Sequence, residues 1–264
     1  LPISLHRKQN PIRALQADNN SSINDTTISP ASARTSKSAP YARQLLAELV
    51  GTFIVVQLGT GSVMSAVFKG ELVGLFQVAA VWIIAVTIGI ASTASISGAH
   101  LNPAISLSVA AVRRSKDFGW AKLVPYWIAQ TVGGVLGSLC NYILYSSSIR
   151  KFESAQGIVR DSANAIASAK CFGEYYLDPV TLCGAFFAEA FGTCILAAVI
   201  FALTHPDNDV TNKAPFLIPP LIGLTVGALI CVFAPLTQAG FNPARDFGPR
   251  IVAYIAGWHK VAFK

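Results

Sequence analysis

Long apolar stretches separated by short polar turns organise this chain. Stretches free of Asp, Glu, Lys and Arg cover residues 72–99, 123–149 and 214–244, and each exceeds the roughly 20 residues that cross a bilayer as a helix. Two more, 44–68 and 179–206, carry a single charge each, Glu48 and Glu189. The pattern predicts an all-α membrane protein with five full spans, and it places two carboxylates at membrane depth. An ionisable group there is expensive, so each is a functional candidate.

The pattern also repeats. AELVGT at 47–52 returns as AEAFGT at 188–193, and NPA at 102–104 returns at 242–244. Glu48 to Asn102 is 54 residues and Glu189 to Asn242 is 53, so the same elements recur in the same order at nearly the same spacing. Three full spans, those containing Glu48, Trp82 and Gln130, separate the two copies, so the second copy starts on the opposite side of the membrane. Such inverted repeats carry their functional path at the repeat interface, near the midplane, among broken helices.

Each copy holds one broken helix. Residues 104–112 are apolar and stop at Arg113 and Arg114; nine residues rise about 14 Å, half of a hydrocarbon core. A second short segment runs from Asn242 toward Trp258, and the two, entering from opposite faces, complete one crossing. Asn is a good N-cap and Pro suits the first helical position, which would explain one NPA by capping alone. Two of them at membrane depth require more, because non-helical backbone is tolerated there only against protein or a water-filled cavity. The repeat also calls for a sixth full span, partner of the Gln130 span, which is apparently absent from this chain. The expected organisation is a tail over 1–40 and a channel domain over 41–264, with repeat one about 41–146, an outside loop about 147–178 and repeat two about 179–264.

Charge and cysteines change little. The net charge of +7 is scattered over loops and tail without interleaved aromatics, so nucleic acid is not an expected partner. The five cysteines show no metal-type spacing, and Cys140, Cys183, Cys194 and Cys231 read as small core residues. Residues 1–40 are rich in Ser, Thr, Asn and Ala and read as a disordered tail; NPIR at 10–13 resembles a plant vacuolar sorting motif. Arg34, Lys37 and Arg43 before the first span, with Arg113, Arg114, Lys116 and Lys122, place the N-terminus on the cytoplasmic side. Arg150, Lys151, Arg160 and Lys170 in the opposite loop run against that rule.

SGAHLNPA at 97–104, FNPARDFGPR at 241–250 and the two AExxGT segments resemble the aquaporins, the major intrinsic protein family, and the Asp following the arginine, with DFGPR, is similar to its aquaglyceroporin (glycerol facilitator) branch. The resemblance covers residues 41–264. It implies a pore in each subunit of a homotetramer, multi-pass in a plasma or internal membrane among its lipids, with neither catalysis nor cofactor. It places Asn102, Pro103, Ala104, Asn242, Pro243 and Ala244 at the pore centre, with the two amides as donors. It assigns Trp82, Ile230, Ala239 and Arg245 to a selectivity constriction. Glu48, Glu189, His100 and Asp246 would fasten the loops, and Arg245 could also form an ion pair with Asp246 or another acid. Gly98 and Gly240 would supply strained backbone angles. The implied function is passive passage of glycerol, other small neutral solutes and water, with exclusion of ions and protons. A proton-coupled secondary transporter and a non-conducting structural protein are the competing readings.

Overall fold

The computed structural model describes residues 39–113 and 118–264. Apart from residues 39 and 40, the expected tail with its NPIR stretch, and Arg114 and Lys116, lie outside them. Nine α-helices occur among the described residues: α1 Tyr41–Lys69, α2 Leu75–Ser97, α3 Pro103–Val112, α4 Trp120–Ala155, α5 Ile166–Ala169, α6 Leu182–Leu203, α7 Asp209–Lys213, α8 Ile218–Thr237 and α9 Pro243–Ala253. Five of them (α1, α2, α4, α6, and α8 with the turn before it) are long and apolar enough to cross a membrane.

Local chemistry sets the ends. Gly70 closes α1 and Gly98 closes α2, both with left-handed backbone (φ 72° and 86°) that glycine adopts without a side-chain penalty. The Thr181 hydroxyl accepts the Gly184 N–H at 3.1 Å and starts α6. Helix α4 continues through 147–155, where a loop is expected. Ile149 is fully buried there, and the buried Glu153 binds Arg160 and Ser168, so one face of the extension docks on the protein while Arg150 and Lys151 stay exposed on the other.

The short helices α3 and α9 flank α4 at different heights. Trp127 donates to Pro103 O and Gln130 to Ser106 Oγ, while Val109 and Ala110 share an apolar cluster with Phe118 and Leu123. Helix α3 therefore starts beside Trp127 and Gln130, in the first third of α4, and runs toward its beginning. Helix α9 starts beside Gly134, and its end, Val252 and Ala253, clusters with Ile149. The two half-helices run apart from a common origin, one toward each end of α4.

The faces turned away from this centre are apolar. Leu182, Phe186 and Phe187 on α6 are at least two-thirds exposed, an arrangement suited to lipid. Cys140, Cys183 and Cys194 lie on such outward faces and Cys231 is half-buried, which corrects their reading as core residues; of the five, Cys171 alone is buried. A small apolar side chain in a membrane helix gains nothing by turning inward when the surroundings are themselves apolar.

Candidate pore and constriction

The two glutamates build two matching turns. Glu48 accepts the backbone N–H of His100 at 3.0 Å and of Leu101 at 2.7 Å, together with the Ser97 hydroxyl and the Gln130 amide. Glu189 accepts the N–H of Gly240 at 3.1 Å and of Phe241 at 2.8 Å, together with the Thr237 hydroxyl. The two backbone N–H contacts and the hydroxyl contact of one copy each have a counterpart 140 positions on, and the two glutamates stand 141 apart; the Gln130 amide belongs to the first copy alone. The backbone follows suit: Ala99 and Leu101 have φ of 50° and 49°, Ala239 and Phe241 of 62° and 51°. Residues with side chains rarely occupy this region, and here a fully buried carboxylate and its half-buried counterpart hold them in it.

The glycine of each AExxGT segment now has a reason. A Cβ on Gly51 would lie 2.4 Å from Leu101 Cδ2, and one on Gly192 would lie 2.1 Å from Phe241 Cε1. The residue before each Asn packs into the space that the missing side chain leaves. Gly98 has the expected left-handed backbone, but Gly240 is absent from the positive-φ residues. Its constraint is steric, since a Cβ there would meet Glu174 and Glu189 at 3.0 and 3.1 Å.

The half-helix tips meet through their asparagines. Asn102 Oδ1 accepts the N–H of Ala104 and Ile105, and Asn242 Oδ1 those of Ala244 and Arg245, which is N-capping. The amide nitrogens then cross over, Asn102 Nδ2 donating to Phe241 O at 2.9 Å and Asn242 Nδ2 to Leu101 O at 2.8 Å. A primary amide carries two N–H donors, so each asparagine keeps one beyond this bond. Pro103 and Pro243 occupy the first helical position of α3 and α9, and Ala104 and Ala244 follow them. The His100 ring sits against Phe118 and Tyr126 with Nδ1 3.2 Å from Ser106 Oγ, a packed and bonded position.

Trp82, Ile230 and Arg245 line one cavity of about 380 Å³, together with Thr60, Lys170 and Glu174. The Arg245 guanidinium lies 4.4 Å from the centre of the Trp82 ring. Ala239 is buried but is not part of that wall. The acid that pairs with Arg245 is Glu174, and both side chains are almost fully buried. Asp246 instead binds Arg250, at 2.9 and 2.8 Å to Nε, and accepts the Glu174 N–H at 2.7 Å.

Residues 170–177 are fastened at many points. Gln238 accepts the Tyr175 N–H and donates to Lys170 O, Leu177 N–H bonds Leu236 O, and Arg250 donates to Glu174 O. Burial pushes the Tyr175 hydroxyl up to about 12, so it stays protonated and donates to Val261 O at 2.7 Å. Glu174, Gln238 and Arg250 are the residues that reasoning from motifs misses. Glu174 lies in a loop with no internal periodicity, and Gln238 stands at the non-motif end of its turn; only Arg250, four positions after Asp246, carried a signal, the spacing of an ion pair on a helix.

The family model described as major intrinsic protein matches residues 35–262. The chain belongs to the major intrinsic protein family. Among curated members it is 40% identical over 220 residues to a glycerol uptake facilitator protein of Pseudomonas aeruginosa, covering 83% of this chain and 77% of that one. It is 37% identical over 219 residues to the propanediol uptake facilitator PduF of Citrobacter freundii, covering 83% and 80%. Among solved members, the aquaglyceroporin from Plasmodium falciparum superposes with a TM-score of 0.69 at 28% identity, covering 85% of this chain and 86% of that one. As a major intrinsic protein, the chain is a channel and not an enzyme, and its inverted repeat is the family fold.

Proposed function

We propose that this protein is a passive transmembrane channel for glycerol and other small uncharged solutes, with water, that excludes ions and protons. The observation that carries the reading is the pair of half-helix tips joined by Asn102 and Asn242. Two helix N-termini meet there, each worth about half a positive charge, and the spare N–H of each amide can donate to a passing hydroxyl or water. Cations meet two positive helix ends and then Arg245. The turns before each tip have their N–H groups turned toward Glu48 and Glu189, which leaves the opposite edge of the peptide, the carbonyls, for the solute.

The reading assigns the constriction to Trp82, Ile230 and Arg245, which share the wall of one cavity. Trp82 and Ile230 offer an apolar wall to a carbon backbone, and Arg245 offers donors to its hydroxyls. Relatives named for glycerol and propanediol uptake support small polyols as the class. The N-terminus is placed on the cytoplasmic side, supported by Arg43, Arg113 and Lys122. The Lys122 ammonium bonds Gln44 at 3.1 Å, so the starts of α1 and α4 share that side. Of the opposing loop charges, Arg160 counts for less because it is engaged by Glu153 at 3.1 Å. A homotetramer is proposed, its subunits and lipids covering the outward apolar faces.

The test is stopped-flow light scattering of the purified chain in liposomes. Water and glycerol should both pass in proportion to their gradients. Ile230→His should lower glycerol flux more than water flux, because it narrows the wall and replaces an apolar surface by a polar one; an unchanged ratio would remove Ile230 from the constriction. Flux that depends on a proton gradient would favour the coupled transporter instead.

A further inference from the structure

We infer that Arg250 is a positioning residue for selectivity, acting through Glu174 on Arg245. The inference rests on the channel reading above. Helix α9 carries both ends of the arrangement: Arg245 in its first turn, and the Asp246–Arg250 pair one turn apart on the same helix. That pair grips the backbone on either side of Glu174. Asp246 Oδ1 accepts its N–H at 2.7 Å and Arg250 donates to its carbonyl, while Gln238 takes the next N–H. With the backbone held on both sides, the Glu174 carboxylate has a fixed reach to Arg245. The third Arg250 nitrogen donates to Ala262 O at 2.6 Å, so the clamp is itself braced.

The clamp has steric requirements of its own. Arg250 crosses directly over Gly173, where a Cβ would stand 2.7 to 3.0 Å from its Cγ, Nε and Cζ atoms, and the Tyr175 ring lies 4.9 Å from its guanidinium on the other side. The planar fork reaches three acceptors in three directions, which a lysine ammonium cannot reproduce. Glu174 Oε1 binds Arg245 while its buried Oε2 has no hydrogen-bond partner among the described residues. Arg250 thereby governs how much of the Arg245 charge is neutralised and which of its N–H groups face the passage, although it is itself outside the cavity wall.

Arg250→Gln in the full chain, reconstituted in liposomes, tests this through the ratio of glycerol to water flux, which does not depend on how many channels fold. The ratio should fall about tenfold, the equivalent of one misplaced hydrogen bond to a charged group, because a polyol needs several aligned donors and water needs few. Arg250→Lys should recover only part of it. Gly173→Ala, which displaces Arg250 without altering charge, should shift the ratio in the same direction and guards against poor folding of the glutamine variant. In a Glu174→Ala background, Arg250→Gln should add nothing. A ratio that stays at the parent value in Arg250→Gln or in Gly173→Ala, or a full additional effect without Glu174, overturns the inference. If the unaltered chain passes neither water nor glycerol, it is the channel reading that fails.

Discussion

At the residue scale, a few buried polar groups determine the shape of otherwise unfavourable backbone. Glu48 is fully buried and serves two backbone N–H groups, a hydroxyl and an amide. Leaving a buried donor unpaired costs about 1 to 3 kcal/mol each, so Glu48→Ala should destabilise the protein by several kcal/mol, read as an earlier unfolding transition in detergent, and abolish conduction. Gly192→Ala should be nearly as damaging for a different reason, since the added methyl contests the Phe241 ring; overpacking of this kind costs about 1 to 3 kcal/mol. Arg245→Val removes the charge at the tip of α9 and the partner of Glu174, and should admit a broader panel of solutes in the same liposome assay. A variant with the parent's solute profile would show that the charge does not select.

At the element scale, the half-helices were legible in the sequence because they are punctuated by residues with one dominant local role. Asn as cap, Pro at the first helical position and the arginines after residue 112 each act over one or two turns, and α3 and α9 begin at the expected residues. The repeat was legible for the same reason, as its marks are short and strongly constrained. What the chain did not reveal is contact between segments far apart: that Glu174, about seventy residues before Arg245, would be its ion partner, or that Asp246 would turn to Arg250. Exposed or buried orientation of the cysteines was also hidden, because a span that is apolar on all faces carries no periodic signal of which face is inside. Asn242→Ala tests the element as a unit. It deletes one cap, about 1 kcal/mol, and one of the two crossing bonds, and should reduce water and glycerol flux together, in contrast to the ratio shift expected at Ile230.

At the scale of the whole molecule, the two copies form one object through two reciprocal amide bonds. Asn102 completes the turn that ends at Phe241, and Asn242 completes the turn that ends at Leu101. Neither re-entrant segment therefore possesses a full set of partners until its counterpart has been threaded into place from the other side. Maturation of the two tips should then be a single concerted event: under limited proteolysis during refolding, cleavage near 98–102 and near 238–242 should disappear with one shared rate, however early the individual spans insert.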